Sequence, residues 1–205
     1  MIKLLSSVSN WKFIIPVFLL FCYFTFFLFP NQQTQLTKIA GEQISPLDTR
    51  FSYSLQEVNY LFENLGIEGR ELYATIVGSV DMIYPIVYGI LFMLVLVFLL
   101  RKLSGHKSKL ILIALLPVLG SLFDYFENFH ILKLLQKYPT ITEQDIVLSE
   151  QFTRLKHIIL FSSLGIVLAA SVILLLKFVT KRKDKREKSE GFASAGSDPT
   201  QHQQQ

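Results

Sequence analysis

The chain has 205 residues, of which 51% are hydrophobic and 18% charged, and its formal net charge is +4. That length allows one compact domain, and the single cysteine, Cys22, excludes a disulfide framework or a cysteine-based metal site within one chain. The basic excess is confined to short runs beside apolar blocks, the pattern of a topology anchor attracted to anionic lipid rather than of a nucleic-acid surface, so no nucleic-acid partner is expected.

The arrangement of the apolar residues sets the class. Four blocks predict helices at about 11–30, 74–100, 110–135 and 156–179, each near the roughly 20 residues that cross a bilayer core. No soluble core requires a run such as ILFMLVLVFLL at 90–100. The expected fold is therefore all-α: an integral membrane four-helix bundle over 1–180 with a short extracytoplasmic amphipathic helix, and the lipid bilayer as its first partner.

The first block has a basic start, but its apolar stretch is long and no small-x-small site follows, so it reads as a retained signal anchor. The outer loop, 31–73, begins with a Gln- and Thr-rich stretch to Thr49 that is expected to be irregular. Ser54-Leu-Gln-Glu57 is a capping box, in which hydroxyl and carboxylate satisfy free amides at a helix start. Leu55, Val58, Leu61, Phe62 and Leu65 then follow at helical spacing, with Gly66 as a stop. This predicts the amphipathic helix, lying on the outer membrane surface or capping the bundle.

The second crossing has no breaker before Pro85, so one helix from about Glu68 to Leu100 is longer than the hydrocarbon needs. Arg101, Lys102, Lys107 and Lys109 crowd the link to the third crossing, and Lys181, Arg182, Lys183, Lys185, Arg186 and Lys188 follow the fourth. The positive-inside rule puts both runs in the cytoplasm. The outer loop instead sets Lys38, Arg50 and Arg70 against Glu42, Asp48, Glu57, Glu63, Glu68 and Glu71. The expected location is the cell membrane, multi-pass, with N- and C-termini cytoplasmic. A second outer link is expected at 138–153, and a disordered basic and polar tail at 181–205. Gly165 and Ala169 form a small-xxx-small pair, read as close helix packing.

Ionisable residues inside a bilayer cost at least ~2.5 kcal/mol each and so demand a reason. Asp81 lies in the second crossing, and Asp124, Glu127 and Asn128 in the third. At 1.5 Å per residue Asp81 and Asn128 both fall roughly 10 Å from the outer helix ends, and Asp124 roughly 16 Å. Arg70, Ala74, Val77, Asp81, Tyr84 and Tyr88 share one stripe, and Asp124, Glu127 and Asn128 share another. Pro85 has no N–H for the carbonyl of Asp81, which is left free beside the acid. In this reading Asp124 lies deepest and furthest from a basic partner, and His157 stands at the outer mouth of the fourth helix as a possible base or ligand. Glu127 and His130 match Glu-x-x-His, but the second copy that a di-iron bundle needs is missing, so no metal site is expected.

The order LGIEGRELY (65–73), DMIYPIVYG (81–89), DYFEN (124–128) resembles a pattern in small four-helix membrane proteins from bacteria. The resemblance covers roughly Phe51 to Asn128 and implies that Arg70, Asp81, Tyr84, Pro85, Tyr88, Asp124, Glu127 and Asn128 act as one unit. It implies no activity. Three functions stay open: an outer-leaflet polar pocket for a proton, cation or small ligand; an intramembrane enzyme acting on a lipid or other membrane substrate; or an accessory subunit in which the acids lock helices together. The ligand-binding or proton-relay candidates are Arg70, Asp81, Tyr84, Tyr88, Asp124, Glu127, Asn128 and His157. Catalytic residues, cofactor and any protein partner subunit stay open.

Overall fold

The computed structural model describes residues 5, 9–105 and 108–195, with side chains to 183. Among the described residues four long helices make up the fold: α1 (Trp11–Ala40), α2 (Leu55–Ser104), α3 (Lys109–Lys137) and α4 (Glu143–Ala195). Each contains a segment long and apolar enough to cross a membrane. α2, α3 and α4 pack against one another, whereas α1 packs along α2 and makes no extended contact with α4.

α1 starts under the side chain of Asn10, which accepts from the amide of Lys12 at 3.3 Å. It does not end at Pro30, and the Gln-rich stretch expected to be irregular is helical to Ala40. The reason lies one turn upstream. Phe24–Leu28 widens into a π-turn, in which the amide of Phe29 reaches back to the carbonyl of Phe24. That register shift makes room for a proline that would otherwise collide with the preceding turn and leave an acceptor unserved. Gly41, at φ 72°, then closes the helix in the left-handed conformation.

At the start of α2 the capping box forms: Ser54 accepts from the amide of Glu57 at 3.3 Å, and Glu57 accepts from that of Ser54 at 2.7 Å. The first segment buries Val58, Leu61, Phe62 and Leu65 and leaves Glu57, Tyr60 and Glu63 outside. Gly66 breaks the helix at φ 60°, ψ −164°, a conformation essentially reserved for glycine. The chain then resumes as one helix to Ser104.

α3 opens as a 3-10 turn, Lys109–Leu115, and continues as α-helix to Lys137. α4 differs from expectation at both ends. It begins at Glu143, inside the segment expected to be a link, because Thr142 and Asp145 cap it: the amide and hydroxyl of Thr142 both donate to Asp145 Oδ2, at 2.8 and 2.6 Å. At the other end the helix continues to Ala195, so the tail expected to be disordered from 181 is helical that far. Extending an existing helix needs no new nucleus. Residues 196–205 of that expected tail lie outside the described residues. The Gly165 and Ala169 pair packs against nothing within the chain: both are exposed, and a side chain at Gly165 would meet no atom.

Two apolar cores form at opposite ends of the bundle. One gathers Leu36, Leu47, Val58, Phe62, Tyr73 and Ile131 at the loop end. The other gathers Leu96, Val97, Leu100, Ile111 and Ala114 beside the α2–α3 link. Between them lies a polar layer, and the exposed faces of α1 over 13–29 and of α4 over 158–176 are largely apolar.

Candidate functional site

α2 and α3 meet closely at the polar layer because Gly89 has no side chain: a Cβ there would overlap the hydroxyl of Ser121. Ser121 donates to the carbonyl of Pro85 at 2.6 Å, and Tyr125 to that of Met82 at 2.7 Å. Asn128 donates through Nδ2 to the carbonyl of Asp81 at 2.7 Å, the acceptor that Pro85 leaves without a helical donor. The kinked stretch of α2 is thus stitched to α3 through side chains.

α4 contributes a buried polar stripe, Ser149, Thr153, Lys156 and Ser163, at helical spacing. Its centre is Lys156. The ammonium pairs with Glu127 Oε2, lies 3.4 Å from Asp124 Oδ1 and donates to the carbonyl of Asp48 at 3.0 Å. An ammonium has three donors, and these three acceptors occupy them all. Glu127, 0% exposed, also accepts from Thr153 at 2.6 Å, and Asp124 accepts from Tyr88 at 2.8 Å. The expectation that Asp124 lacks a basic partner is therefore corrected: its cation arrives from α4, a contact that spacing along α3 does not reveal.

Beside this network is a cavity of about 450 Å³, lined from α1, α2, α3, α4 and the turn Leu47–Thr49. Asp81, Tyr84, Tyr88, Asp124, Asn128 and His157 all line it. Glu127 stands behind, in the ion-pair network. Arg70 is not part of the site: it donates to the carbonyl of Phe62 at 2.7 Å and covers the ring of Tyr138, 4.7 Å away, so it secures the break at Gly66. His157 bonds through Nδ1 to the carbonyl of Thr153 at 2.8 Å and packs against Phe51 and Phe161.

The residues that sequence reasoning left out come from the loop, α1 and α4. Asp48 accepts from Tyr73 at 3.0 Å, and burial pushes its carboxyl above the ordinary range, with Lys156 opposing. The hydroxyl of Tyr53, against Ser149 at 2.7 Å, is pushed up to about 12 by burial. Thr25 meets the hydroxyl of Tyr84 at 3.3 Å, and Gln32 reaches the cavity from α1. The heptad-like recurrence of Ser149, Lys156 and Ser163 was the available signal for α4.

The polar atoms still free at the cavity share one character. Asn128, 1% exposed, has no partner for Oδ1, and Gln32 Oε1 is likewise buried and unpaired. The carboxylate of Asp81, 8% exposed, has no hydrogen-bond or ion-pair partner among the described residues. All three are acceptors. No group of three or more His, Cys, Asp or Glu side chains among the described residues is placed to hold a metal ion.

Fold and site together define an all-helical chain of four long apolar helices around a buried, acid-lined cavity. No protein-family model matches this chain, and no curated protein or solved structure is similar to it.

Proposed function

We propose that this is a multi-pass membrane protein whose outer-leaflet pocket binds a cation or small cationic ligand. The apolar segments face largely outward and the buried ionisable side chains are gathered between helices, which is the arrangement a bilayer favours. The basic α2–α3 link supports a cytoplasmic position for that end, and the acidic loop an external one for the other. Both termini are then cytoplasmic. The segment 55–65 acts as an amphipathic cap on the outer side, turning its apolar face onto the bundle rather than onto lipid.

The observation that carries the reading is the balance of the pocket. Asp48, Asp81, Asp124 and Glu127 surround Lys156, whose donors are all taken, and the buried oxygens of Asn128 and Gln32 left without partners are acceptors. A cation or proton meets at Asp81 a carboxyl group that no described side chain serves. The Lys156, Asp124 and Glu127 network serves as the interhelical lock and leaves Asp81 for the ligand.

The test is native mass spectrometry and melting temperature of the purified chain with sodium, calcium, ethylammonium, chloride and acetate varied separately. A stoichiometric cation adduct that raises the melting temperature supports the proposal. Equal response to anions, or none to any cation, overturns it.

A further inference from the structure

Resting on the cationic-pocket reading, we infer that the ligand is a membrane-dissolved amphiphile carrying a primary ammonium, and that it enters sideways between α1 and α4. The head group follows from the open acceptors. Asp81, Asn128 Oδ1 and Gln32 Oε1 offer hydrogen-bond acceptance and no donation. The orientation of the Asn128 amide is fixed, because its Nδ2 is committed to the carbonyl of Asp81, which can only accept. A quaternary ammonium would neutralise Asp81 but leave these acceptors unserved. A primary ammonium supplies three N–H groups for three acceptors.

The other wall accounts for the rest of the ligand. Phe21, Phe29, Tyr84, Tyr88 and Phe92 line the cavity as a connected aromatic surface, with ring centroids 4.8 Å apart for Phe29 and Tyr84, 5.3 Å for Tyr84 and Tyr88, and 5.8 Å for Phe21 and Tyr84. Such faces favour a cation near the head and an alkyl chain beyond it.

The route follows from what is closed and what is not. At the loop end the turn Leu47–Thr49 covers the cavity, with Leu47 fully buried in the core and its amide held by the hydroxyl of Tyr73 at 2.9 Å. On the lateral side, α1 and α4 both line the cavity yet make no extended contact. Phe161 and Leu164 of α4 line it while remaining 62% and 41% exposed. A residue that faces both cavity and exterior marks an opening, and here the exterior is the apolar surface that lipid would cover.

The test uses the full chain in phosphatidylcholine nanodiscs with dodecylammonium, dodecyltrimethylammonium, dodecanol and butylammonium as probes, and a dodecylammonium bearing a diazirine in mid-chain. Dodecylammonium is expected to bind at one equivalent and at least tenfold more tightly than its trimethyl analogue, with dodecanol inactive. The diazirine is expected to label Phe21, Phe161 or Leu164, and Asp81→Asn to abolish the labelling. If that variant fails to fold, competition by unlabelled dodecylammonium against the labelling of wild-type protein gives the same readout. Co-purifying phosphatidylethanolamine that dodecylammonium displaces identifies a lipid head group as the source, and its absence with dodecylammonium still bound identifies a free amine; both support the inference. Saturable butylammonium binding with labelling at Pro46 or Thr49, or equal affinity for the trimethyl probe, overturns it while the cation-pocket reading stands. Failure of every ammonium probe also overturns it, and the cation-pocket reading falls with it only where sodium and calcium fail to bind as well.

Discussion

The side-chain amide of Asn128 donates a 2.7 Å hydrogen bond to the backbone carbonyl of Asp81, four residues before the proline that cannot serve it. One interhelical bond thus repairs the ladder of α2, orients Asn128 and leaves its buried oxygen without a partner beside the cavity. Asn128→Ala should cost about 1–3 kcal/mol, the range for stranding a buried polar group. Pro85→Ala restores an N–H in α2, so in that background the same substitution should cost roughly 1 kcal/mol less. Thermal melts of the two single variants and the double variant measure the coupling. Strict additivity would show that the carbonyl does not depend on Asn128.

Gly66 and Arg70 form a structural unit away from the pocket. Gly66→Ala forces a side chain onto φ 60°, ψ −164° and should cost about 1–3 kcal/mol. Arg70→Ala loses the charged bond to the carbonyl of Phe62 and should also cost about 1–3 kcal/mol. Ammonium binding, normalised to folded protein, should be unchanged in both. A selective loss of binding in Arg70→Ala would return that residue to the site.

The two kinds of information in this chain were unequally legible. Helix number and the common level of Asp81 and Asn128 along α2 and α3 follow from hydropathy and a fixed rise per residue, so a single sequence suffices. The orphaned carbonyl of Asp81 was equally readable, because proline chemistry is local. Arg70 misled because, although it shares a helix face with Asp81, its guanidinium turns back across the break at Gly66 to the carbonyl of Phe62. The pairing of Lys156 with Asp124 and Glu127 is not legible in the sequence, since it depends on how α4 packs against α3. The π-turn before Pro30 left no signature beyond the proline itself.

Topology is tested with a membrane-impermeant thiol reagent in intact cells, on a Cys22→Ser background. Cysteines at Gln35 and Thr142, both exposed at the loop end, should react. One at Ser108, beside the basic link, should stay unlabelled until the membrane is opened. The reverse pattern would invert the bundle and place the pocket in the inner leaflet.

The burial of Asp48 predicts the sign of a pH dependence in the fold. Burial raises its carboxyl above the ordinary value of 3.8, so the folded chain holds that proton more tightly than the unfolded chain does. The stabilisation is complete below 3.8 and is lost as pH rises through the folded value. Asp48→Asn removes this dependence, so its melting temperature should gain on wild type between pH 4 and pH 8. A gap that closes as pH rises would mean that Lys156 outweighs burial at this position.

Asp81 and Asp124 should respond oppositely to the same substitution, although they sit in one polar layer. Asp124 holds Tyr88 at 2.8 Å and shares the ammonium of Lys156 at 3.4 Å. Asp124→Asn keeps the shape but removes a charge from a buried cation, and should cost about 2–5 kcal/mol, reduced to the extent that Glu127 compensates. Asp81 has no such partner and faces other carboxyls across the cavity. Asp81→Asn relieves that crowding, so stability should hold or rise by about 0.5–2 kcal/mol, as is common where a site gives up stability for function. Binding should follow the reverse order. Asp81→Asn should lose ammonium binding by tenfold or more, while the folded fraction of Asp124→Asn should keep most of it. Melting temperature and ammonium affinity, measured on both variants in one detergent, decide the matter. Destabilisation by Asp81→Asn with affinity intact would make Asp81 a structural acid and move the ligand site elsewhere in the cavity.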